Sequence, residues 1–585
     1  MDLEARAQHW LDHDPDPNAR AELAGVLERA KKGDEAAKKD LAERFIGPLE
    51  FGTAGLRGVI GAGESRMNRA VVRRTSLGLG TYLLEKDPGV KKKGVAIGYD
   101  GRRLSREMAE DTAGVLASLE IPCYLSPHVC PTPVTAYAVT RLGASAGVMV
   151  TASHNPPEYN GYKVYWGNGA QIVPPHDTGI AAAIAREPEA DQVPVTTQEE
   201  GRRRELIRDF PTDLEPSYLE AVQALALHRG EGFDRSMPIV YTALHGVGDR
   251  LVRITFERAG FTGVTSVPEQ AEPNGEFPTV KFPNPEEKGA LDLSYALAER
   301  IGADLVIAND PDVDRLAVAL RGPDGRFVQL TGNQVGVLLG HYVLTEGKTG
   351  GERAVLASCV SSPMLGAIAR ALGVHYEETL TGFKWIANRA MELEGQRGMR
   401  FVFGFEEALG YTVGDLVRDK DGISAALLFA ELCAERRSRG ITILGELETL
   451  YRKYGLYQSG QVSLTMKGAD GLEKIHAMMG RLRRAPPARI GAFGVVGTTD
   501  VSTGKRKTAA GKEEKLPLPP SDVLIYDLEG SHRIIARPSG TEPKIKFYFD
   551  VRETMRADEP LAAAEVRANA TMEGLKKAFV AIAGA

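Results

Sequence analysis

The sequence predicts an α/β protein built from three related modules, followed by a smaller α+β unit. The prediction rests on the order strand, helix, strand, helix, strand, which occurs in three stretches of the chain. In each stretch the last strand runs directly into the richest group of polar residues. Ligands of open α/β sheets bind beyond the carboxyl ends of strands, so three such ends facing one cleft would assemble one site.

The first module begins with the apolar strand GVAIGYD at Gly94 and ends with the strand GVMVTAS, which leads into Ser153. The small and β-branched residues of this last strand are typical of a buried parallel strand. Between the two, the sequence predicts a helix REMAEDTAGVLASLE, a short strand PCYLS and a helix TPVTAYAVTRLG. The chain then breaks into a loop at Asn155-Pro156-Pro157.

The second and third modules repeat this order. The second runs through MPIVYTAL, DRLVRITFERAG, TGVTSVP, ALDLSYALAERIG and DLVIAND, and its last strand enters the acidic stretch from Asp310 to Arg315. The third runs through RAVLASCV, PMLGAIARALG, VHYEETL, FKWIANRAMELEG and RFVFGFEEALG, and it ends at Glu406 and Glu407.

The pattern changes after Tyr454. Strands QVSLTM, DVLIYDL and HRIIARPSGTEPKIKFYFDV precede a long helix that starts near Pro560, and GKRKTAAGKEEKLPLPP is predicted to be an exposed mobile loop. We expect four domains, with the boundaries 1–205, 206–333, 334–455 and 456–585.

Composition excludes several classes of protein. A chain of 585 residues with 43% hydrophobic and 26% charged residues is typical of a globular protein with several cores. The net charge of -6 gives no global attraction to nucleic acid or to an anionic membrane. The four cysteines form no C-x-x-C pair, so neither a disulfide framework nor a zinc site is indicated. Without a signal segment or a long apolar run, a cytoplasmic location is expected.

The acidic stretch DPDVDR offers three carboxylates at alternate positions, Asp310, Asp312 and Asp314. In a tight loop they can converge on one hard cation such as Mg²⁺. An EF-hand is disfavoured because its sixth position would be Arg315 and its twelfth Arg321. A haloacid-dehalogenase-type phosphatase would need Thr or Val at position 314. The alternative is an Asp-rich turn that caps the next element.

The loop TASHNPPEYNGYK places Ser153 beside His154, with Lys163 ten residues further on. Either neighbour could activate the serine hydroxyl, and a Ser-His-Asp hydrolase is the rival interpretation. However, the G-x-S-x-G motif of α/β-hydrolases is absent, and adjacent side chains of an extended chain point in opposite directions. A simple turn before Pro156 is the structural alternative.

Four further stretches carry polar groups. RPSGTEPK combines a guanidinium, hydroxyls, a glycine and an ammonium, which suits a phosphate dianion, although a solvated turn would have the same residues. Glu406 and Glu407 could hold sugar hydroxyls, act as general acid or base, or form structural ion pairs. FGTAGLRG ends in Arg57 but lacks the Gly-Lys-[Ser/Thr] of a P-loop, and Lys384 in TGFKW could equally be a surface lysine.

Taken together, TASHNP, DPDVDR, GFEEALG and RPSGTEPK resemble the motifs of the α-D-phosphohexomutase family, the phosphoglucomutases and phosphomannomutases. FGTAGLRG, TGFKW and DKDGISAA are similar to the branch that includes bacterial phosphoglucomutases and phosphopentomutase-like members. The resemblance implies three topologically similar α/β domains with mixed sheets and a smaller C-terminal α+β domain around a central active-site cleft. It also implies closure of the fourth domain over the substrate.

The resemblance implies roles for individual residues as well. Ser153 would be a phosphoserine that also contributes to the metal site, with Mg²⁺ held by the three aspartates. The transferring group would be stabilised by Arg57, Lys163 and Arg315. His154 and Lys384 would assist proton transfer or contact the substrate. Lys163 is expected, in preference to His154, both to transfer the proton and to stabilise the charge. The implied substrate-binding residues are Thr381, Gly382, Lys384, Glu406, Glu407, Arg537, Ser539, Gly540, Thr541 and Lys544.

The implied activity is interconversion of glucose 1-phosphate and glucose 6-phosphate through a glucose 1,6-bisphosphate, which also primes the enzyme. The alternatives are a phosphopentomutase and a phosphomannomutase. Ala408 stands where many hexose mutases have a serine, which leaves the choice of sugar open. The rival classes are a phosphatase with a serine nucleophile, which would release inorganic phosphate, and an inactive sugar-phosphate-binding protein, which should have lost Ser153 or an aspartate.

Overall fold

The computed structural model of the protein describes residues 2–51, 55–228, 232–348, 350–466, 470–516, 518–539 and 544–584. The chain divides into two compact units. The first unit comprises residues 1–330, 382–392 and 408–438, and the second unit comprises residues 331–381, 393–407 and 439–585. Within the described residues, none of the helices combines the length and the apolar character needed to cross a membrane.

Three helices precede the first sheet. They are α1 (Leu3–His13), α2 (Pro17–Lys31) and α3 (Glu35–Arg44). Each begins after an aspartate, Asp2, Asp16 or Asp34, whose side chain accepts a hydrogen bond from a main-chain N–H of the first turn. Their apolar faces pack on one another around Leu23 and Phe45.

The first sheet has six strands in the order β1-β5-β4-β2-β3-β6. The strands are β1 (Leu56–Val59), β2 (Val95–Tyr99), β3 (Cys123–Leu125), β4 (Ala146–Val150), β5 (Tyr159–Trp166) and β6 (Ile207–Asp209). The helices of this section are α4 (Arg69–Lys86), α5 (Val90–Lys93), α6 (Ser105–Ser118), α7 (Thr132–Arg141), α8 (His176–Ile184), α9 (Gln198–Arg203) and α10 (Leu214–Leu225). Strands β2, β3, β4 and β6 run parallel, whereas β5 is antiparallel to β4 and β1 is antiparallel to β5.

Helices α6 and α7 cover opposite faces of the first sheet. Ile97 on β2 belongs to the same core cluster as Leu116 of α6. Gly98, the next residue, faces α7, where a β-carbon would lie only 2.0 Å from Thr135 Oγ1. Both faces are therefore buried, which is why β2 and β4 are apolar throughout.

The second sheet has five strands in the order β11-β10-β9-β7-β8. Its elements are β7 (Ile239–Thr242), α11 (Asp249–Arg258), β8 (Val264–Ser266), α12 (Pro268–Ala271), α13 (Asp292–Ile301), β9 (Leu305–Ala308), β10 (Ala317–Arg321) and β11 (Phe327–Gln329). Strands β7, β8 and β9 are parallel, and β10 and β11 add an antiparallel edge.

The third section contributes a parallel sheet with the order β13-β12-β14 in the second unit. Its elements in chain order are α14 (Gly332–Glu346), β12 (Arg353–Ser358), α15 (Met364–Ala371), β13 (His375–Thr379), α16 (Phe383–Arg397), β14 (Arg400–Glu406), β15 (Gly410–Val413), α17 (Gly422–Ser438) and α18 (Ile443–Tyr454). Of these, β15, α17 and the part of α16 up to Glu392 belong to the first unit.

The last section is an antiparallel sheet with the order β16-β23-β22-β21-β18-β19-β20, and β17 pairs with β18. Its elements are β16 (Leu456–Thr465), α19 (Gly471–Arg484), β17 (Arg489–Ile490), β18 (Phe493–Asp500), β19 (Lys505–Thr508), β20 (Glu513–Lys515), β21 (Leu524–Leu528), β22 (Arg533–Pro538), β23 (Lys544–Glu553) and α20 (Leu561–Ala583). Phe579 of α20 packs edge-on against aromatic residues of the sheet.

The predicted fold class is confirmed: three α/β sections precede a β-rich C-terminal section. The domain boundaries at residues 205, 333 and 455 stay a prediction. The prediction that GKRKTAAGKEEKLPLPP is a mobile loop is wrong for the residues of β19 and β20, because these two strands pair as a hairpin. Charge pairs across it, such as Lys505 with Glu513, stabilise strands that lack the apolar alternation by which strands are recognised.

Candidate active site

Two polar loops of the first unit meet beyond the carboxyl ends of their strands. Ser153 follows β4 by three residues, and the acidic loop begins two residues after β9. Thr132, the first residue of α7, joins the two sections, because its N–H donates to Asp312 O at 2.9 Å and its Oγ1 donates to Asp312 Oδ2 at 2.6 Å. The serine and the carboxylates thus come from different sheets but form one cluster.

Ser153 is buried and its backbone is left-handed, with φ +53°. Its Oγ donates to Asp310 Oδ2 at 2.7 Å, and its N–H donates to Thr151 Oγ1 at 2.9 Å. A left-handed conformation is uncommon for a residue with a β-carbon and costs about 1–3 kcal/mol, so the surrounding contacts must hold it.

The expectation that Ser153 and His154 point in opposite directions is wrong. Ser153 Oγ lies 3.2 Å from His154 Nδ1. The expectation assumed extended backbone, whereas the left-handed turn at Ser153 brings the two side chains to the same side. Burial, together with the charges of Arg315 and Arg57, holds the pKa of His154 well below its usual range, so this imidazole is neutral at pH 7.

The side chains of Asp310, Asp312 and Asp314 are buried and converge, with one carboxylate oxygen of each lying within 4.8 Å of the others. A left-handed residue, Val313 with φ +66°, reverses the loop between the last two. The neighbouring loop approaches closely at Gly246, where a β-carbon would lie 2.3 Å from Pro311 Cα. Only glycine permits this packing of the two loops.

The cluster fits a divalent cation. Asp312 Oδ1 and Asp314 Oδ1 are buried and have no hydrogen-bond partner among the residues that the structure describes. Buried carboxylate oxygens without donors are costly unless a cation binds them, and oxygen ligands of this kind are those that Mg²⁺ prefers. The donor set therefore suits Mg²⁺.

Two lysines offset the negative charge of the aspartates. Lys163 on β5 places Nζ 2.7 Å from Asp312 Oδ2 and 2.9 Å from Asp314 Oδ2, and Lys420 Nζ lies 3.1 Å from Asp314 Oδ2. Burial opposes the charged form of Lys163, but Asp312 and Asp314 outweigh it and raise its pKa. Burial likewise opposes ionisation of Asp314, but the two lysines hold its pKa well below the usual range.

Asp310 differs from its two neighbours. Burial, reinforced by repulsion from Asp312 and Asp314, raises the pKa of Asp310 well above its usual value. Its Oδ1 accepts from the N–H of Arg315 at 3.0 Å. The carboxylate that contacts Ser153 is thus the least compensated of the three.

Two arginines border the cluster. Arg57 on β1 has an exposed side chain whose Nη1 donates to Asn155 Oδ1 at 3.2 Å in the serine loop. Arg315 lies with Nε 3.9 Å from Asp310 Oδ2 and 4.0 Å from Asp314 Oδ1. Among the described residues, Arg315 Nε is buried without a hydrogen-bond partner, so it can donate to a bound anion.

Lys384 and Gly382 also belong to the first unit. Lys384 is buried near the start of α16, and its Nζ donates to Ile172 O at 3.3 Å. Burial lowers its pKa. Gly382 has φ +107°, a conformation that favours glycine.

The second unit holds Thr381, Glu406 and Glu407, all half-buried. Glu407 is held by two serines: its N–H donates to Ser361 Oγ at 3.0 Å, and its Oε2 accepts from Ser361 Oγ at 3.3 Å and Ser358 Oγ at 3.2 Å. Its carboxylate is therefore oriented by the carboxyl end of β12.

The loop RPSGTEPK joins β22 to β23 in the second unit. Arg537, Ser539 and Lys544 are half-buried, and Ser539 N–H donates to Lys544 O at 2.8 Å. Gly540 and Thr541, predicted to bind substrate, lie outside the described residues. One strand connection thus carries a guanidinium, a hydroxyl and an ammonium, which are groups that can donate hydrogen bonds to a phosphate.

Arg533, four residues before Arg537, joins the third and last sections within the second unit. Its buried guanidinium donates to Glu378 Oε1 at 2.8 Å, to Asp550 Oδ2 at 2.9 Å and to Ser361 O at 2.9 Å. Ser361 also contacts Glu407. The arginine therefore couples the strand that leads to RPSGTEPK with the residues that hold Glu407.

Replacing Arg533 by methionine is expected to lower the free energy of unfolding of this region by about 3–5 kcal/mol, because the buried carboxylate of Asp550 and the half-buried carboxylate of Glu378 would lose their counter-ion. Urea unfolding followed by fluorescence and hydrogen exchange measures the change. The matched control is Arg506→Met, which breaks a partly exposed pair with Asp527 and should cost less than about 1 kcal/mol. Equal losses in the two variants would contradict a structural role for the Arg533 network.

Sequence reasoning assigned no role to three residues of the first-unit cluster: Arg102, Thr132 and Lys420. Arg102 donates to carbonyl groups of the serine loop, and the other two contact the aspartates directly. The only signal for Lys420 was its place in DKDGISAA before α17. Thr132 gave no signal of its contact with Asp312, because it is the first residue of a predicted helix, where threonine is common.

Comparisons with known proteins identify the family of the chain. Models of the α/β/α domains I, II and III of phosphoglucomutase/phosphomannomutase match residues 48–191, 216–323 and 331–454. A probable phosphoribomutase of Schizosaccharomyces pombe is 39% identical over 97% of this chain and 96% of its own. A probable phosphomannomutase of Haemophilus influenzae is 42% identical over 85% of this chain and 96% of its own.

The solved structure of the Paramecium phosphoglucomutase pp63/parafusin has a TM-score of 0.67 at 17% identity, and covers 92% of this chain and 96% of its own. That likeness concerns the fold. The resemblance inferred from the four motifs is confirmed by the domain models and by the identity of the relatives. The chain belongs to the phosphoglucomutase/phosphomannomutase family, and it is a phosphosugar mutase, an intramolecular phosphotransferase.

Proposed function

We propose that the mutase carries its phosphoryl group on Ser153. The observation that carries the proposal is the contact of the buried Ser153 Oγ with Asp310 Oδ2 at 2.7 Å, inside a cluster of three carboxylates. An unphosphorylated structural serine has no need of so many charged neighbours. A phosphoserine, which carries nearly two negative charges, would need a cation and positive side chains around it.

Each turnover would move the phosphoryl group twice. The bond between Ser153 Oγ and phosphorus breaks as the free hydroxyl of a sugar phosphate forms a new bond to phosphorus. The proton that this hydroxyl loses ends on Ser153 Oγ, which becomes a hydroxyl again. The resulting sugar bisphosphate turns over and returns its other phosphoryl group to Ser153. A trace of bisphosphate would therefore prime molecules that have lost their phosphoryl group.

The proposed metal ligands are Asp310, Asp312 and Asp314, with Ser153 contributing through its phosphoryl oxygen. Mg²⁺ bound there would neutralise charge on the phosphoryl group as it transfers. Arg315 and Arg57 are proposed to donate to the same group from the border of the cluster. Phosphoryl transfer depends mainly on such positioning and charge stabilisation.

Proton transfer and charge stabilisation are proposed to fall to different residues. Lys163 is held as a cation by two carboxylates, so we assign it to charge stabilisation. His154, neutral and 3.2 Å from Ser153 Oγ, is the better candidate for the proton. This proposal differs from the expectation that Lys163 both transfers the proton and stabilises the charge. Lys384 is proposed to contact the substrate.

The remaining substrate-binding residues are proposed on the strength of the family resemblance. Glu406 and Glu407 accept hydrogen bonds from sugar hydroxyls, and Arg537, Ser539 and Lys544 bind the phosphate that does not react. Thr381 and Gly382, with Gly540 and Thr541 of the same phosphate loop, complete the proposed set.

We propose glucose 1-phosphate as the substrate, as the motifs imply. The relative that is 42% identical is named a probable phosphomannomutase. A pentose 1-phosphate is the second candidate, because the relative that matches almost the whole chain is named a probable phosphoribomutase. Ala408 offers no hydroxyl that would discriminate between them.

A coupled assay of glucose, mannose and ribose 1-phosphates at equal concentration tests the choice of substrate. We expect the highest kcat/KM with glucose 1-phosphate, and stimulation by a trace of the matching bisphosphate. A higher kcat/KM with ribose 1-phosphate would overturn the proposed substrate but leave the mutase class intact. Release of inorganic phosphate in place of sugar isomerisation would contradict the proposed phosphoryl cycle.

A further inference from the structure

The Arg102 side chain contacts the serine loop by hydrogen bonds to main-chain carbonyl groups. Its Nη2 donates to Ser153 O at 2.6 Å and to Asn155 O at 2.5 Å, and its Nη1 donates to Pro156 O at 2.8 Å and to Tyr159 O at 3.1 Å. The arginine is buried. One planar guanidinium thus provides donors for three carbonyl groups of a loop without regular secondary structure and for the carbonyl group of Tyr159, the first residue of β5.

Asp100, at the end of β2, organises this arrangement. Its Oδ1 accepts from the N–H of Arg102 at 3.0 Å, and its Oδ2 lies 3.4 Å from Arg102 Nε and accepts from Thr151 Oγ1 at 2.6 Å. Thr151 Oγ1 in turn accepts from Ser153 N–H at 2.9 Å. The N–H and the C=O of Ser153 are therefore both held by side chains that Asp100 orients.

The other side of Arg102 is closed by the loop after α12. The guanidinium lies 4.9 Å from the centre of the Phe277 ring, and Phe277 is itself buried. This cation–π contact, with the Asp100 contacts opposite, leaves Arg102 a single position. Its neighbour Arg103 differs, because it is half-exposed and pairs with Glu276.

We propose that Arg102 is a positioning residue that keeps Ser153 in its left-handed conformation whether or not the serine carries a phosphoryl group; this inference rests on the proposed phosphoserine cycle. In that cycle Ser153 gains and loses the charge of its phosphoryl group in every turnover. Throughout, Ser153 Oγ must stay aligned with the sugar hydroxyl with which it exchanges the phosphoryl group. Four hydrogen bonds to the main chain do not change with the state of Oγ. Arg102 therefore acts through the loop and does not contact the reacting atoms.

The test compares Arg102→Met and Arg102→Lys with the control Arg103→Met. Misplacement of reacting groups by about 1 Å can reduce turnover about 100-fold, and we expect a loss of kcat of that size in both Arg102 variants. Because the sugar and its second phosphate are held elsewhere, KM should change by less than about threefold. Arg103→Met should keep both constants near those of the wild type.

Two further readouts separate positioning from stability. The ³¹P resonance of the phosphoserine should shift or broaden in both Arg102 variants and stay unchanged in Arg103→Met. Added guanidinium ion at a non-denaturing concentration should partly restore kcat to Arg102→Ala. A lysine has one ammonium and cannot reach four carbonyl groups, so Arg102→Lys should not behave as wild type.

Wild-type kcat in Arg102→Lys, or a loss confined to KM, would overturn the inference. Failure of both Arg102→Met and Arg102→Lys to fold would assign the residue to folding alone and would also overturn it. The proposed cycle fails separately, if wild-type protein carries no phosphate on Ser153 during turnover. If the phosphate is present and the Arg102 variants turn over normally, only the positioning role is wrong.

Discussion

Ser153→Ala is expected to lose mutase turnover by roughly 10⁴-fold or more, since loss of a nucleophile removes the covalent route altogether. Ser153 Oγ is the hydroxyl that contacts Asp310, and the hydroxyl of Thr132 is already bonded to Asp312. The alanine variant should remain folded, because one lost hydrogen bond costs about 1 kcal/mol. Coupled assays measure the turnover, and intact-mass analysis should find phosphate on wild-type protein only.

Ser145→Ala is the matched control for this variant. Ser145 precedes β4 at the opposite end from Ser153, is also buried, and also donates to a carboxylate, Asp87 Oδ2, at 2.7 Å. Its loss should reduce stability slightly and leave turnover unchanged. Turnover in Ser153→Ala within tenfold of this control would contradict the phosphoserine cycle, and the Arg102 inference would lose its basis.

The parallel strands β2, β4, β7 and β9 and their order along the chain were predictable because these strands are buried on both faces. Strands such as β4 and β9 are continuous apolar runs, and a break in that pattern marks the loop with the proposed reacting groups. The antiparallel strand β5 was not predicted. Its sequence YNGYKVYW mixes polar and apolar residues, because Lys163 within it is buried against carboxylates about 150 positions away.

Contacts between residues distant in sequence also limited what could be predicted of the site. Ser153 and the aspartates could be predicted because each lies at the end of an apolar strand, where ligands of α/β sheets bind. The contacts of Arg102 could not be predicted, since the carbonyl groups to which it donates are more than 50 positions away. The left-handed turn at Ser153 could not be predicted either, because contacts from other elements hold a conformation that serine rarely adopts alone.

Removal of Mg²⁺ is expected to abolish turnover and to lower stability. Without a cation, the carboxylates of the cluster repel one another, and two of their oxygens have no hydrogen-bond partner among the described residues. A cation that binds only the folded protein stabilises it by about 2.7 kcal/mol at a concentration 100 times its Kd. Thermal unfolding with increasing Mg²⁺ should therefore show a rising midpoint, and chelation by EDTA should reverse it.

Asp312→Asn should remove most of this response and reduce turnover about 10³-fold, equivalent to roughly 4 kcal/mol of transition-state stabilisation. An amide has one oxygen and no charge, so it cannot both accept from Thr132 and Lys163 and bind the cation as the carboxylate does. Turnover and the Mg²⁺-dependent midpoint should fall together, because both depend on the same oxygens.

The control is Asp304→Asn, at the start of the strand whose other end carries the cluster. Asp304 is exposed and pairs with Arg321 Nε at 3.0 Å, a contact worth less than about 1 kcal/mol. This variant should keep the full Mg²⁺ response and full turnover. An undiminished Mg²⁺ response in Asp312→Asn would show that the stabilising cation binds elsewhere, since the cluster would then have lost a ligand without consequence.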